Sequence, residues 1–158
     1  MAGVRKDYLL NQIDLLRQFV ARLLNKREPA GLDEALQLAF HLQEKLFPLP
    51  PADFLRLDVD QQVAALNTGE SKADGQEKCL NYARLLKETA TLYDLRGRSD
   101  LAAGARQLAL HLTLAVALNQ PVAPESVDAL VDELQSGIDL ENLHPPVREL
   151  LAAYEQQA

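Results

Sequence analysis

Tryptophan is absent from this sequence, and aromatic residues of all kinds make up only 5% of its 158 positions. Large rings therefore cannot fill the interior, and a core has to be built from leucine and alanine, both strong helix formers. The single cysteine, Cys79, excludes an internal disulfide and a cysteine-based zinc site. Positive charge is also in deficit, with 16 Lys and Arg against 23 Asp and Glu and a net charge of -7. A basic face able to meet phosphate is not expected, which argues against nucleic acid as a partner. The same balance gives no support to binding an anionic membrane, and acidity of this size serves solubility.

Long apolar runs are missing too. The longest, "LALHLTLAVAL" from Leu108 to Leu118, falls short of the roughly 20 residues a bilayer span requires. After "MAGVRKDYLL", the residues Asn11, Gln12 and Asp14 interrupt any signal-peptide h-region. A cytoplasmic location is the expectation. No segment alternates with a period of two, so no sheet is predicted.

What remains is helical periodicity. Hydrophobic residues make up 47% of the chain, enough for one packed domain over 1–158. Leu9, Ile13, Leu16, Val20 and Leu23 recur at spacings of four and three, with Leu15, Phe19 and Leu24 widening the stripe. They predict a helix from Lys6 to Lys26 that stops before "EPAG". Leu32, Ala35, Leu36, Ala39, Leu42 and Leu46 form the stripe of a second helix, ended by "FPLPP" and packed antiparallel to the first. "PADFLRLD" and "VDQQVAALN" read as two short helical pieces. "TGESKADGQE", Thr68 to Glu77, is rich in Gly, Ser and charge and reads as a mobile loop, with 67–77 as its bounds.

A long helix is predicted from Gln76 to Arg96, with Gly97 as its left-handed C-terminal cap. Ser99 is the expected N-cap of the next helix, which runs to Leu118 and is apolar almost all round, hence central. Ala102, Ala103, Gly104, Ala105 and Ala109 are small residues that allow close backbone approach. "NQPVAP" ends it. Val127, Leu130, Val131 and Leu134 mark a short helix stopped at Ser136-Gly137. Val147, Leu150, Leu151 and Tyr154 stripe a final one, with Pro146 in its first turn. The class is all-α, with about six to seven helices in antiparallel pairs.

Chemical constellations are sparse. His41, His111 and His144 are scattered, and His41 with Glu44 one turn away is a pair, not a zinc site. His111 reads as a core histidine with a satisfied hydrogen bond. Cys79 lies on an apolar stripe, where a buried free thiol is ordinary. The carboxylate pairs Asp132 with Glu133 and Asp58 with Asp60 read as solvated surface. "TGESKADG" lacks the spacing of a phosphate-binding loop. No metal, cofactor or catalytic residue is expected.

One stretch carries a repeat signal. "LLKETATLYDLRGRSDLAAGARQLAL" resembles a tetratricopeptide repeat, with Leu86, Ala90, Tyr93, Gly97, Ala102 and Ala109 at the motif's spacings and Arg106 where the motif has a large aromatic. "GLDEALQLA" resembles the start of a second helix of such a pair, and "PPVRELLAAYEQQA" a first helix. Most of the chain resembles a bacterial family of tetratricopeptide-like proteins. The resemblance is carried by "DYLLNQIDLLRQFVARLL", "DEALQLA", "ARLLKETATLYDLRG" and "LHPPVRELLAAYE". It implies a right-handed helical stack and no known enzyme activity. It also implies a concave groove to which Arg84, Lys87, Thr91 and Asp94 would contribute. Lys87 falls where some members hold a peptide carboxylate, and Thr91 replaces the asparagine that usually follows one turn on. Read from charge alone, Arg84 and Lys87 are solvent-facing residues balancing Glu88 and Asp94.

The expectation is a non-catalytic module that binds a protein, a peptide or a second copy of itself. The rival is a small-molecule sensor or enzyme accessory subunit with a pocket between helices. Val147, Leu150, Leu151 and Tyr154 have no following helix in the sequence, so this face is expected to pack against the body or a second subunit.

Overall fold

Leucine-rich stripes at helical spacing fold as helices that bury those stripes on one another. The computed structural model describes residues 2–26, 31–119 and 125–157. The described residues contain no strand. They form eight α-helices: α1 (Ala2–Lys26), α2 (Leu32–Glu44), α3 (Pro51–Phe54), α4 (Val59–Asn67), α5 (Lys72–Leu95), α6 (Ser99–Leu118), α7 (Glu125–Ser136) and α8 (Pro145–Gln157). A single 3₁₀ turn, Leu140–Asn142, precedes α8. The expected stops at "EPAG" and "NQPVAP" fall mostly on 27–30 and 120–124, outside the described residues.

The two longest inner helices, α5 and α6, share the most extensive contact. On one side α1 and α2 pack on α5; on the other α7 and α8 pack on α6. The result is a helical stack, with the first two and the last two helices as its outer layers. Ile13, Leu16, Val20 and Leu23 of α1 bury against this body, as do Ala35, Ala39 and Leu42 of α2. A buried hydrogen bond of 2.9 Å from Gln43 Nε2 to Thr89 Oγ1 fixes α2 on α5. Three of the few aromatic rings cluster together. Phe47 stacks on Phe54 at 4.1 Å, and Tyr82 of α5 meets both edge-on, anchoring the α2–α3 segment.

Several local expectations change. The loop expected over 67–77 is confined to 68–71. Asn67 closes α4 and α5 begins at Lys72, because Ser71 Oγ caps it by accepting from Asp74 N at 3.1 Å. Asp58 is not idle surface. Its carboxylate accepts from Gln61 N while its own N–H donates to Gln61 Oε1, a capping box that opens α4. Gly97 has φ of +82° and ends α5 as expected, with Arg98 N donating to Tyr93 O and Gly97 N to Asp94 O. Ser99, however, is the first residue of α6, and Arg98 holds the cap position, its guanidinium paired with Asp100.

The close-packing glycine is also a different one. Gly104 is exposed, with nothing near its missing side chain. At Gly75, buried in α5, a Cβ would collide with the amide of Asn67 and come within 3.2 Å of its Cα. It is there that α4 approaches α5 too closely for any side chain. Tyr93 of α5 also meets α2, its ring lying 6.3 Å from that of Phe40.

Helix α6 is long and apolar enough to cross a membrane by length and composition, which the run Leu108 to Leu118 alone did not suggest. Half of its apolar window is buried inside the protein, against α5, α7, α8 and α4.

Candidate functional site

The four residues expected to line a groove all lie on α5, at spacings that share one ridge. Each has a partner within the chain. Arg84 Nη1 donates to Asn81 Oδ1 at 2.7 Å and pairs with Glu77 at 3.2 Å. Lys87 pairs with Glu133 of α7. Thr91 Oγ1 donates to the carbonyl of Lys87 at 3.4 Å. Asp94 accepts from Arg106 Nη2 of α6 at 2.6 Å. Arg106, which replaces the motif's aromatic, also lies over Gly137, where a Cβ would meet its Nε at 3.0 Å. The ridge therefore ties α5 to α6 and α7. Arg96 is likewise more than a solvated charge, since it pairs with Asp33 of α2.

The residue that sequence reasoning underrated is Glu88. Its side chain is only 9% exposed, with Arg17 Nε of α1 at 3.7 Å and Lys87 Nζ at 4.0 Å. Arg17, Glu88, Lys87 and Glu133 form an alternating chain of charge linking α1, α5 and α7. Burial raises the Glu88 pKa above the ordinary carboxylate value; Lys87 and Arg17 oppose that rise and Glu133 adds to it. The signal was present in the sequence. Glu88 stands three residues after Leu85 and four before Leu92, so it shares their buried face.

The other titratable residues are dispersed, and among the described residues no group of His, Cys, Asp and Glu could hold a metal ion. Cys79 is fully buried with its thiol pushed up to about 11 by burial, so it is a neutral packing group at pH 7. His111 is half-buried rather than enclosed, and its ring makes no hydrogen bond among the described residues. Burial lowers its pKa against the pull of Asp60. His144 is exposed, at the start of α8, and His41 is exposed on α2. A hollow of about 340 Å³ opens between α4, α5 and α6, lined by Val63, Asn67, Lys72, Gln76, Val116 and Asn119.

Of the two fates expected for the last helix, packing against the body is the one found. Val147 and Leu151 are buried, and Leu150 and Tyr154 pack partly buried on the same core. The Tyr154 hydroxyl donates to Asp128 of α7. Gln107 of α6 fixes the approach to α8 with both ends of its amide. It donates to Asn142 O at 3.2 Å and accepts from His144 N at 2.9 Å.

At the opposite end, α1 carries more exposed apolar side chains than any other helix. Of nine large hydrophobic side chains left exposed among the described residues, Tyr8, Leu10, Leu15 and Leu24 are on α1. Leu15 and Leu24 thus do not extend the buried stripe as expected. Their flanking positions carry them past the arc that α2 and α5 cover. Charge separates along the chain as well. Helix α1 has five basic and two acidic residues, whereas 125–157 has one basic and eight acidic.

Compared with known proteins, the chain matches no family model, no curated protein and no solved structure.

Proposed function

We propose that this chain is a non-catalytic helical interaction module, stacked in the tetratricopeptide-like manner, that engages a protein or peptide through its N-terminal layer. The observation that carries the reading is the uncovered apolar surface of α1, where Tyr8 is 56% and Leu15 53% exposed. A patch of exposed large apolar side chains marks an interaction site. The α5 ridge supports the body, because Lys87 and Asp94 are engaged with α7 and α6 and Arg84 with Glu77 of α5 itself.

Affinity enrichment from the native cell, with the unchanged chain and Leu15→Glu side by side, tests this. A partner that is lost with Leu15→Glu and rebinds from purified components supports the reading. Equal recovery of every partner by both proteins opposes it. The hollow between α4, α5 and α6 favours a second reading, a small-molecule sensor. Under that reading a metabolite would raise the melting temperature, and Gln76→Leu in the lining would abolish the rise.

A further inference from the structure

The geometry points to the seam between α1 and α2 as a docking groove for an acidic amphipathic helix, a partner chemistry that deepens and rests on the interaction reading above. Tyr8, Leu15 and Phe19 succeed one another along one shoulder of α1, with Arg22 one turn beyond Phe19 at the far end. Tyr8 and Leu15 are exposed and Phe19 is partly buried. Two observations place α2 alongside. A Cβ at Gly31, just before α2, would come within 3.1 Å of Phe19 Cζ, and Lys45, just after α2, lies over the Tyr8 ring. The shoulder is therefore one wall of a seam running roughly 21 Å from Tyr8 to Arg22, about four helical turns.

Its two ends are cationic. Arg22 Cζ sits 5.6 Å from the centre of the Phe19 ring, and Lys45 Nζ sits 5.5 Å from the centre of Tyr8. Carboxylates outnumber cations 23 to 16, and among the described residues seven cations form ion pairs with them. These are Arg17, Lys78, Arg84, Lys87, Arg96, Arg98 and Arg106; Arg22 and Lys45 are not among them, and each lies over an aromatic ring of the shoulder instead. An apolar strip with a cation over a ring at each end complements a helix with an apolar stripe and acidic residues toward both ends. Apolar anchors supply affinity in that mode, and the charges fix register. The next ridge of α1, Asn11, Gln18 and Asn25, is exposed and polar. That limits the apolar surface to a helix-wide strip, narrower than a bilayer contact needs.

The test uses the full chain, isotopically labelled, titrated with a synthetic helix that has a leucine stripe and glutamates at both ends. A twin with lysines in place of the glutamates and vesicles of phosphatidylserine are titrated in parallel. The expected result is that only the acidic helix binds, that it shifts the resonances of Tyr8, Leu15, Phe19 and Arg22, and that added salt weakens it. Arg22→Glu combined with Lys45→Glu should weaken binding roughly tenfold or more while leaving the circular dichroism unchanged. Both side chains are exposed, so the double variant folds. Equal binding of the lysine twin, binding of the vesicles, self-association through the seam, or no binding at all overturns the proposal. If the acidic helix shifts α5 or α8 instead, the interaction reading survives and this assignment of its surface falls.

Discussion

The two outer layers of the stack solve the same problem in opposite ways. Helix α8 and helix α1 each lie at an end, and each carries more apolar residues than one contact can cover. At the α8 end the surplus is drawn in. Leu150 and Tyr154 settle on the core beside Val147 and Leu151, and the remaining face shows Arg148, Glu149 and Glu155 to solvent. Polar ties from Gln107 and Asp128 hold the layer down. At the α1 end Ile13, Leu16, Val20 and Leu23 satisfy the body, yet Tyr8, Leu10, Leu15 and Leu24 stay outside. A stack of helices needs a polar outer face at each end to remain a monomer. The α8 end has one, and the α1 end has one interrupted by leucines, which is why function is sought there.

Substitutions can break this contrast, beginning where the effect is largest. Leu151→Asp should cost about 3 kcal/mol or more in urea unfolding, because it buries a carboxylate against α6 without a partner. Gln107→Ala should cost roughly 1–3 kcal/mol by orphaning the His144 N–H and the Asn142 carbonyl. Hydrogen exchange would show the loss as faster amides in α8 and unaltered ones in α1. Between the layers, Gly97→Val should cost about 1 kcal/mol or more, since only glycine adopts the positive φ there without strain.

Glu88 sharpens the comparison through pH. Its folded pKa lies above the ordinary value near 4.3 for glutamate. The stability linked to its proton is thus fully present below that value and is lost as pH rises through the folded pKa. Glu88→Gln should be more stable than the unchanged chain at pH 7, and the gap should close as pH falls to 4. Urea midpoints across that range measure it. A variant less stable at pH 7 would show instead that the pairing with Arg17 and Lys87 outweighs the cost of burial.

Much of the fold was legible because its signals are local. The stripes Leu9 to Leu23 and Val147 to Tyr154 named their helices from spacing alone, and Gly97 named the sharpest turn. What was not legible depends on distant partners. A loop was expected at 67–77 from its glycines and charges. Gly75, the residue that made it look flexible, is the one that lets α4 approach α5. Gly104 was credited with that role from its neighbours in sequence, and it faces open space. Arg84, Lys87, Thr91 and Asp94 lie along one ridge of α5, as their spacing implies. The partners of Lys87 and Asp94, Glu133 and Arg106, lie on other helices and could not be read from the sequence of α5. For α1 the spacing of Leu15 and Leu24 was read as burial. Only the arc that α2 and α5 cover decides which stripe residues are left outside.

The smallest expected effect tests the contrast most directly. Leu15→Glu, measured by urea unfolding beside the unchanged chain, should shift the stability by no more than about 0.5 kcal/mol, because the side chain supports nothing within the fold. A loss approaching that of Leu151→Asp would contradict this, since it would mean that the leucines of α1 belong to the core and leave no surface for a partner.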